Sequence, residues 1–318
     1  MPNLPTPITT HSMPSRLRRH LPVWRRRLAL ACATLLLAAP FMPARAADTL
    51  AKIAGTHRIV IGYRHSGPPF SFSNNGQVVG YAIDICQDVV KDLAKQLHLN
   101  RIDIDYKAVD TASRFIQVNN GSIDMECATT TNTAARRKQA EFSYPYFFTT
   151  TNFVSRKNAG LNTIADLAGH TIAATSGTSD LDQLNSVNKK RDLHILVVLR
   201  RTHGEAFRLV QTGQASAFVM DHSILAGLVA SSSNPEDYVI SKEAFSEPEP
   251  YGIVMPAGDL AFKNAVDRAL GALFAGNEID RIYKKWFVQP IPPNGRSLGI
   301  PMSPTLRGWI AKPREYLN

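Results

Sequence analysis

The sequence predicts an α/β protein of two layered units, each a mainly parallel sheet with helices on its faces. Three observations predict it. From His57 to Cys127, short β-branched runs alternate with helical periodicity in the order strand, helix, strand, helix, strand. The alternation restarts near Asn152 and continues to about Ser241. The chain has 318 residues, 44% of them hydrophobic, which suits two ordinary domains and excludes a disordered polymer.

The elements follow in order. HRIVIGYR, from His57, is a strand, and PPFSFSNNGQVVGY is a loop or hairpin punctuated by Pro, Asn and Gly. From Tyr81 to Leu97, Ile85, Val89, Leu93 and Leu97 recur every four residues, an amphipathic helix facing a sheet. IDIDYKAV is a strand, RFIQVNNG a short helix ending at Gly121, and IDMEC a further strand. In the second set FVSRK is a strand, and TIADLAGHTIAATSGTSDLDQL reads as short helix, strand, turn and helix. LHILVVL, ASAFVMD and YVIS are strands, alternating with the helices HGEAFRLVQTG and SILAGLVAS. YGIVMP leads back as a strand, followed by helices around Leu260–Phe274 and Glu278–Trp286 and a Pro-rich wrap with a short helix near Leu306–Ile310.

The formal charge of +10 suggests a polyanion partner, but its distribution argues otherwise. Seven of the 36 basic residues, all arginine, lie in the first 46 residues, which contain no acid; the rest of the chain carries 29 basic against 26 acidic residues. No nucleic-acid partner is therefore expected. RLRRHLPVWRRR, LALACATLLLAAPFMP and Ala44-Arg45-Ala46 form the basic, apolar and small-x-small parts of a secretory signal peptide over residues 1–46. The apolar run is short for a membrane span. The mature chain is expected to be exported to the periplasm; the export route, Sec or twin-arginine, stays open. Cys86 and Cys127 remain after cleavage; an oxidising compartment permits a bridge, but two thiols in a chain this size are expected to be isolated buried residues. No CxxC or zinc spacing occurs, and no cofactor or metal is expected.

Several runs together carry a family resemblance: RIVIGYRHSGPPFSF, VVGYAIDI, GSIDMECATTTNTAARRKQAEFSYPYF, IADLAGHTIAATSGTSDLDQL, AFVMDHSILAG and IYKKWF. Their order resembles the periplasmic solute-binding proteins, family 3, of polar amino acid ABC importers, most nearly the glutamate/aspartate binders. The narrower motifs are ECxTTTN-x3-R, HG-x2-F-R and KWF followed by PIPP; position 82 is Ala where the wider family has an acid, while Asp84 is kept. The resemblance implies a two-lobed, type II periplasmic binding protein fold. Residues 47–150 and 251–318 would form one lobe and 151–250 the other, joined by two hinge strands. It also implies capture of glutamate or aspartate by lobe closure and delivery to a membrane permease, by a monomer without enzymatic activity. Glutamine or another polar amino acid, or a periplasmic dehydratase reaction on the same fold, are the alternatives.

A buried amino acid needs a partner for each of its charges. The resemblance places Arg136 on the α-carboxylate, in a short helix that Asn132 could cap, with Arg137 about 100° round the helix and read as a surface charge. Thr131 would join Arg136, and Thr129 would face the ammonium, while Thr130 between them points away. Asp221, ending the strand ASAFVMD, is the expected counter-charge of the ammonium, with a helix N-cap as its other reading. Ser176 and Thr178, in a strand-to-helix turn, would offer amides and hydroxyls to an anion. Arg64, Arg114 and His203, with Thr111, would make a cationic end suited to a side-chain carboxylate.

Overall fold

The computed structural model describes residues 48–317; the leader expected over residues 1–46 lies outside them. Helix α1 (Thr49–Thr56), which the sequence did not suggest, begins where the Asp48 carboxylate accepts a hydrogen bond from the Ala51 amide. After β1 (Arg58–Tyr63) the chain folds into a small antiparallel sheet of β2 (Ser66–Gly67), β3 (Ser71–Asn74) and β4 (Gln77–Val79). Asn75 and Gly76, with φ of 49° and 80°, turn this hairpin in the left-handed backbone that these two residues accept most readily. Helix α2 (Tyr81–Gln96), β5 (Asp103–Ala108), α3 (Arg114–Asn119) and β6 (Met125–Glu126) complete the first alternation.

Three short strands follow: β7 (Glu141–Phe142), β8 (Phe147–Thr149) and β9 (Thr151–Arg156). The second alternation runs β10 (Thr171–Thr175), α4 (Ser179–Arg191), β11 (Leu196–Arg200), α5 (His203–Gln211), β12 (Ala217–Asp221), α6 (His222–Ala230) and β13 (Tyr238–Ile240). Then come β14 (Glu249–Tyr251), β15 (Val254–Met255) and the helices α7 (Leu260–Ala275), α8 (Glu278–Phe287) and α9 (Pro304–Ala311).

Two five-stranded sheets result, ordered β5-β1-β6-β15-β7 and β11-β10-β12-β9-β13. Their interiors are parallel: β1 pairs with β5 and β6, and β10 with β11 and β12. Strands β9, β13 and β15 run antiparallel to their neighbours. Both faces of the second sheet are covered, which explains the unbroken apolar run of β12. Ala217 and Val219 pack in a core with Phe153, Ile172 and Leu184, while Phe218 and Met220 belong to the core on the other face. The alternation puts Asp221 on the face of Val219, where β12 packs against α4.

Between the sheets, β8 and β14 form a separate antiparallel pair, Phe147 opposite Tyr251 and Thr149 opposite Glu249. These strands rest on a buried aromatic cluster. Phe147 stacks on Phe287 with centroids 5.0 Å apart, and Phe70 meets Phe147 and Tyr251 edge-on at 4.7 and 5.3 Å. Asp84 accepts hydrogen bonds from Trp286 Nε1 at 2.7 Å and Lys285 Nζ at 2.6 Å, fastening α8 to α2. Cys86 on α2 and Cys127 just past β6 are bridged by a disulfide, against the expectation of isolated buried thiols, because pairing of β6 beside β1 brings Cys127 up against α2.

Candidate ligand-binding cleft

The carboxyl ends of β1, β10 and β12, with the segment following β6, converge on one buried cluster, the position where open α/β sheets offer backbone and side-chain groups to a ligand. A cavity of about 10 Å³, room for about one water molecule, is lined there by Arg64, Thr111, Arg114, Thr129, Thr131, Arg136, Thr178 and His203. Ser179, Asp180 and Met220 complete its lining. A second cavity of about 120 Å³ adjoins it, sharing Arg64, Thr111 and His203 and extending to Ser66, Gln117 and Arg201. The structure thus brings eight of the ten expected residues around one small space.

The three arginines differ. Arg64, 4% exposed, is held by Glu126 at 2.5 Å and donates to the Val109 carbonyl at 2.9 Å. Glu126, 1% exposed, also accepts a 2.6 Å hydrogen bond from Thr130, which explains the buried, cleft-averted role of that threonine. Arg114, 1% exposed, donates to the carbonyls of Thr111 and Gly177, and its guanidinium lies 4.5 Å from the Phe115 ring centroid. Arg136 donates to the Thr131 carbonyl at 3.0 Å and the Gly177 carbonyl at 3.2 Å. Neither Arg114 nor Arg136 has an ion-pair partner among the described residues. Burial, then the neighbouring charges of Arg136 and Arg64, drives the Arg114 guanidinium well below the usual arginine range. Burial also lowers Arg136, opposed by the fields of Asp180, Glu126, Glu249 and Asp221.

Arg136 opens a 3-10 turn, Arg136–Lys138, and Asn132 does not cap it. The Asn132 carboxamide instead accepts from Arg137 at 2.9 Å, and the Thr133 hydroxyl receives the Arg136 amide. The Asn132 amide donates to the Pro250 carbonyl in β14, holding the residue against that strand. Thr131 pairs with Tyr251 and meets the Ser179 hydroxyl at 3.0 Å.

Thr178 is the N-cap of α4: its hydroxyl accepts from the Leu181 amide and donates to the Thr175 carbonyl. Ser176 stands outside both cavities, and its amide is used by the Arg200 carbonyl, so the expected anion contact through that amide is not available. His203 is not the cation expected. Burial, with Arg64 and Arg114 nearby, holds it at about 3, so it is a neutral imidazole at pH 7, its Nδ1 3.0 Å from the Thr175 hydroxyl.

Asp221 occupies the N-cap position of α6 without making a capping hydrogen bond, and both its carboxylate oxygens are buried without a partner. The Tyr251 hydroxyl, also buried, is the group that faces the Asp221 carboxylate, with the Ser223 side chain beside it. Asp180, missed by sequence reasoning, is 1% exposed and accepts 2.8 Å from the Thr151 hydroxyl. Burial pushes its carboxyl up to about 7 and raises Asp221 well above the usual carboxylate range. The one available sequence signal for Asp180 was its place in the turn after TSGT.

The two sheets approach closely around this cluster. A Cβ on Gly177, φ 77°, would sit 2.9 Å from Ala112 Cα, and one on Gly227 only 2.2 Å from the Pro68 carbonyl oxygen. The Gly204 amide donates to the Ser66 hydroxyl, and Arg201 pairs with Asp110.

Paired α/β sheets, a two-strand connection and a polar cluster between sheet ends define a two-lobed binding protein of the type II periplasmic class. The match over residues 59–289 to the bacterial extracellular solute-binding proteins, family 3, places it more narrowly: the chain belongs to that family. It is 36% identical to the L-glutamate/L-aspartate-binding protein of Pseudomonas aeruginosa, covering 91% of this chain and 96% of that one. It is 32% identical to the glutamate/aspartate import solute-binding protein of Escherichia coli, over 91% and 95% of the two chains. Among solved structures, an ancestral arginine-binding protein bound to arginine superposes with a TM-score of 0.66 at 28% identity, covering 73% of this chain and 98% of that one.

Proposed function

We propose that this chain captures glutamate or aspartate between two lobes and delivers it to the permease of an ABC importer. The lobes are residues 47–150 with 251–318, and residues 151–250. One observation carries the choice of ligand: two buried guanidiniums, Arg114 and Arg136, both donate to the Gly177 carbonyl and have no carboxylate partner among the described residues. A dicarboxylate supplies one anion to each, whereas a neutral amino acid leaves one cation uncompensated. Arg136, with Thr131, takes the α-carboxylate. Arg114, with Thr111 and neutral His203, takes the side-chain carboxylate, and Arg64 acts mainly by orienting Glu126 and the cleft wall. Thr129 and Asp221 serve the ammonium.

The Gly177 carbonyl, in the turn between β10 and α4, receives both arginines, from α3 and the Arg136–Lys138 turn. A ligand carboxylate competes for the same donors with a full charge, so binding exchanges a weaker bridge for a stronger one and biases lobe closure. The protein is read as a periplasmic, monomeric binder without turnover. The glutamate/aspartate-binding activity named for the two relatives supports the reading. A thermal-shift screen of all twenty amino acids on the mature protein tests it. A response to glutamate and aspartate is expected; stabilisation by basic or large apolar amino acids alone contradicts it.

A further inference from the structure

We propose that Asp180 is a second ammonium-binding carboxylate, forming with Asp221 and the Tyr251 hydroxyl the cation-accepting end of the cleft. The inference rests on the amino-acid reading above and names a residue beyond it. Asp180 is the acid that lines the small cavity, together with Arg136, Thr129 and Thr131. Asp221 is its buried electrostatic neighbour, reached from the end of β12, while Asp180 comes from the first turn of α4.

Two features set this pair apart from a structural acid cluster. First, Asp180 and Asp221 form no ion pair among the described residues; the nearby guanidinium of Arg136 spends its hydrogen bonds on carbonyls. Second, neither Asp221 carboxylate oxygen has a cation or a well-aligned donor among the described residues; the neutral Tyr251 hydroxyl that faces them is the nearest group. Tyr251 comes from β14, so β12 and β14 bring these oxygens to the buried carboxyl that α4 supplies. Buried carboxylate oxygens left unmatched are destabilising, which a three-donor ammonium relieves.

The surrounding charges make the same demand. Asp180 faces Asp221 on β12, Glu249 on β14 and Arg136, with Thr151 on β9 as its hydrogen-bond donor. Three carboxyls against one guanidinium leave room for a cation. Where no ammonium is present a proton takes that place, consistent with the raised Asp180 and Asp221 carboxyls. Binding therefore displaces a proton, and affinity should weaken as pH falls from 8 to 6.

The test is calorimetric titration of wild type, Asp180→Asn and Thr151→Val with glutamate and with glutarate, which keeps both carboxylates and lacks the ammonium. Asp180→Asn should weaken glutamate at least tenfold at pH 8 and flatten its pH dependence, with glutarate unchanged or tighter. Thr151→Val, which removes only the hydrogen bond, should stay within threefold of wild type. Equal weakening of both ligands in Asp180→Asn, glutamate affinity unchanged in that variant, or a Thr151→Val loss matching it, overturns the proposal. If wild type binds a different amino acid and not glutamate, the acidic-ligand reading fails. Asp180 is then judged by the same comparison between that amino acid and its des-amino analogue.

Discussion

Replacing Arg114 by methionine separates a binding cation from a structural one. The side chain is 1% exposed and has no carboxylate partner among the described residues, so its charge carries a burial cost of several kcal/mol. Against that stand its hydrogen bonds to the Thr111 and Gly177 carbonyls, each worth about 1.5–3 kcal/mol as charged bonds, and a cation–π contact with Phe115 of about 1 kcal/mol. These contributions nearly cancel, so Arg114→Met should leave stability within about 1 kcal/mol of wild type. Binding should respond very differently. Losing one partner of a buried charge pair costs about 2–5 kcal/mol, a loss of glutamate affinity between roughly 30-fold and several thousand-fold. Arg64→Met is the control. It strands Glu126, which is 1% exposed, and should destabilise by about 3–5 kcal/mol, lowering the melting temperature on the order of 10 °C. Scanning calorimetry and glutamate titration of the two variants report both quantities. The reasoning is refuted if Arg114→Met is as unstable as Arg64→Met, or if it binds glutamate like wild type.

Other consequences follow from the same structure. Replacing Cys86 and Cys127 by alanine opens a bridge spanning 41 residues and should cost about 4 kcal/mol in denaturant unfolding. Gly227→Ala drives a Cβ against the Pro68 carbonyl and should weaken glutamate about tenfold, with small-angle scattering showing a larger ligand-bound radius; an unchanged radius and affinity would contradict a closure role. The folded-state carboxyl of Asp180 is raised to about 7, so between its ordinary value and 7 the folded protein holds the extra proton. Stability from this group is present in acid and lost as pH rises through 7, and Asp180→Asn should therefore stabilise more at pH 8 than at pH 5. His203 has the opposite sign. Depressed to about 3, it destabilises the fold as pH falls below the ordinary histidine value, and His203→Asn should lessen the stability loss between pH 6.5 and 4.

What was legible in the sequence were features encoded locally. The four-residue spacing of Ile85, Val89 and Leu93 gives α2, and Asn75-Gly76 gives the β3–β4 hairpin, because neighbouring residues suffice for each. The eight expected residues that share the small cavity lie at element ends and in motifs of the family. The remainder depends on contacts distant in sequence. Arg64 reads as a free cation until Glu126, on the neighbouring strand β6 but 62 residues on in sequence, is found against it. Asn132 reads as a cap until the Pro250 carbonyl takes its amide and Arg137 takes its side chain. His203 reads as a cation until burial beside two arginines makes it neutral. Strands β8 and β14 have only three residues each, too few for periodicity, and their pairing spans about a hundred residues. Asp180 has no signal beyond its place after TSGT, and only the packing of α4 on β12, with Glu249 of β14 nearby, buries it.

The central claim is that two unpaired buried arginines select a ligand with two carboxylates. The most direct measurement is the ratio of glutamate to glutamine affinity, by isothermal titration, in wild type and in Arg114→Met. The account predicts that wild type prefers glutamate by at least tenfold and that Arg114→Met largely abolishes the preference, mainly by losing glutamate. Equal wild-type affinities for the two amino acids, or a preference that survives in Arg114→Met, would contradict it.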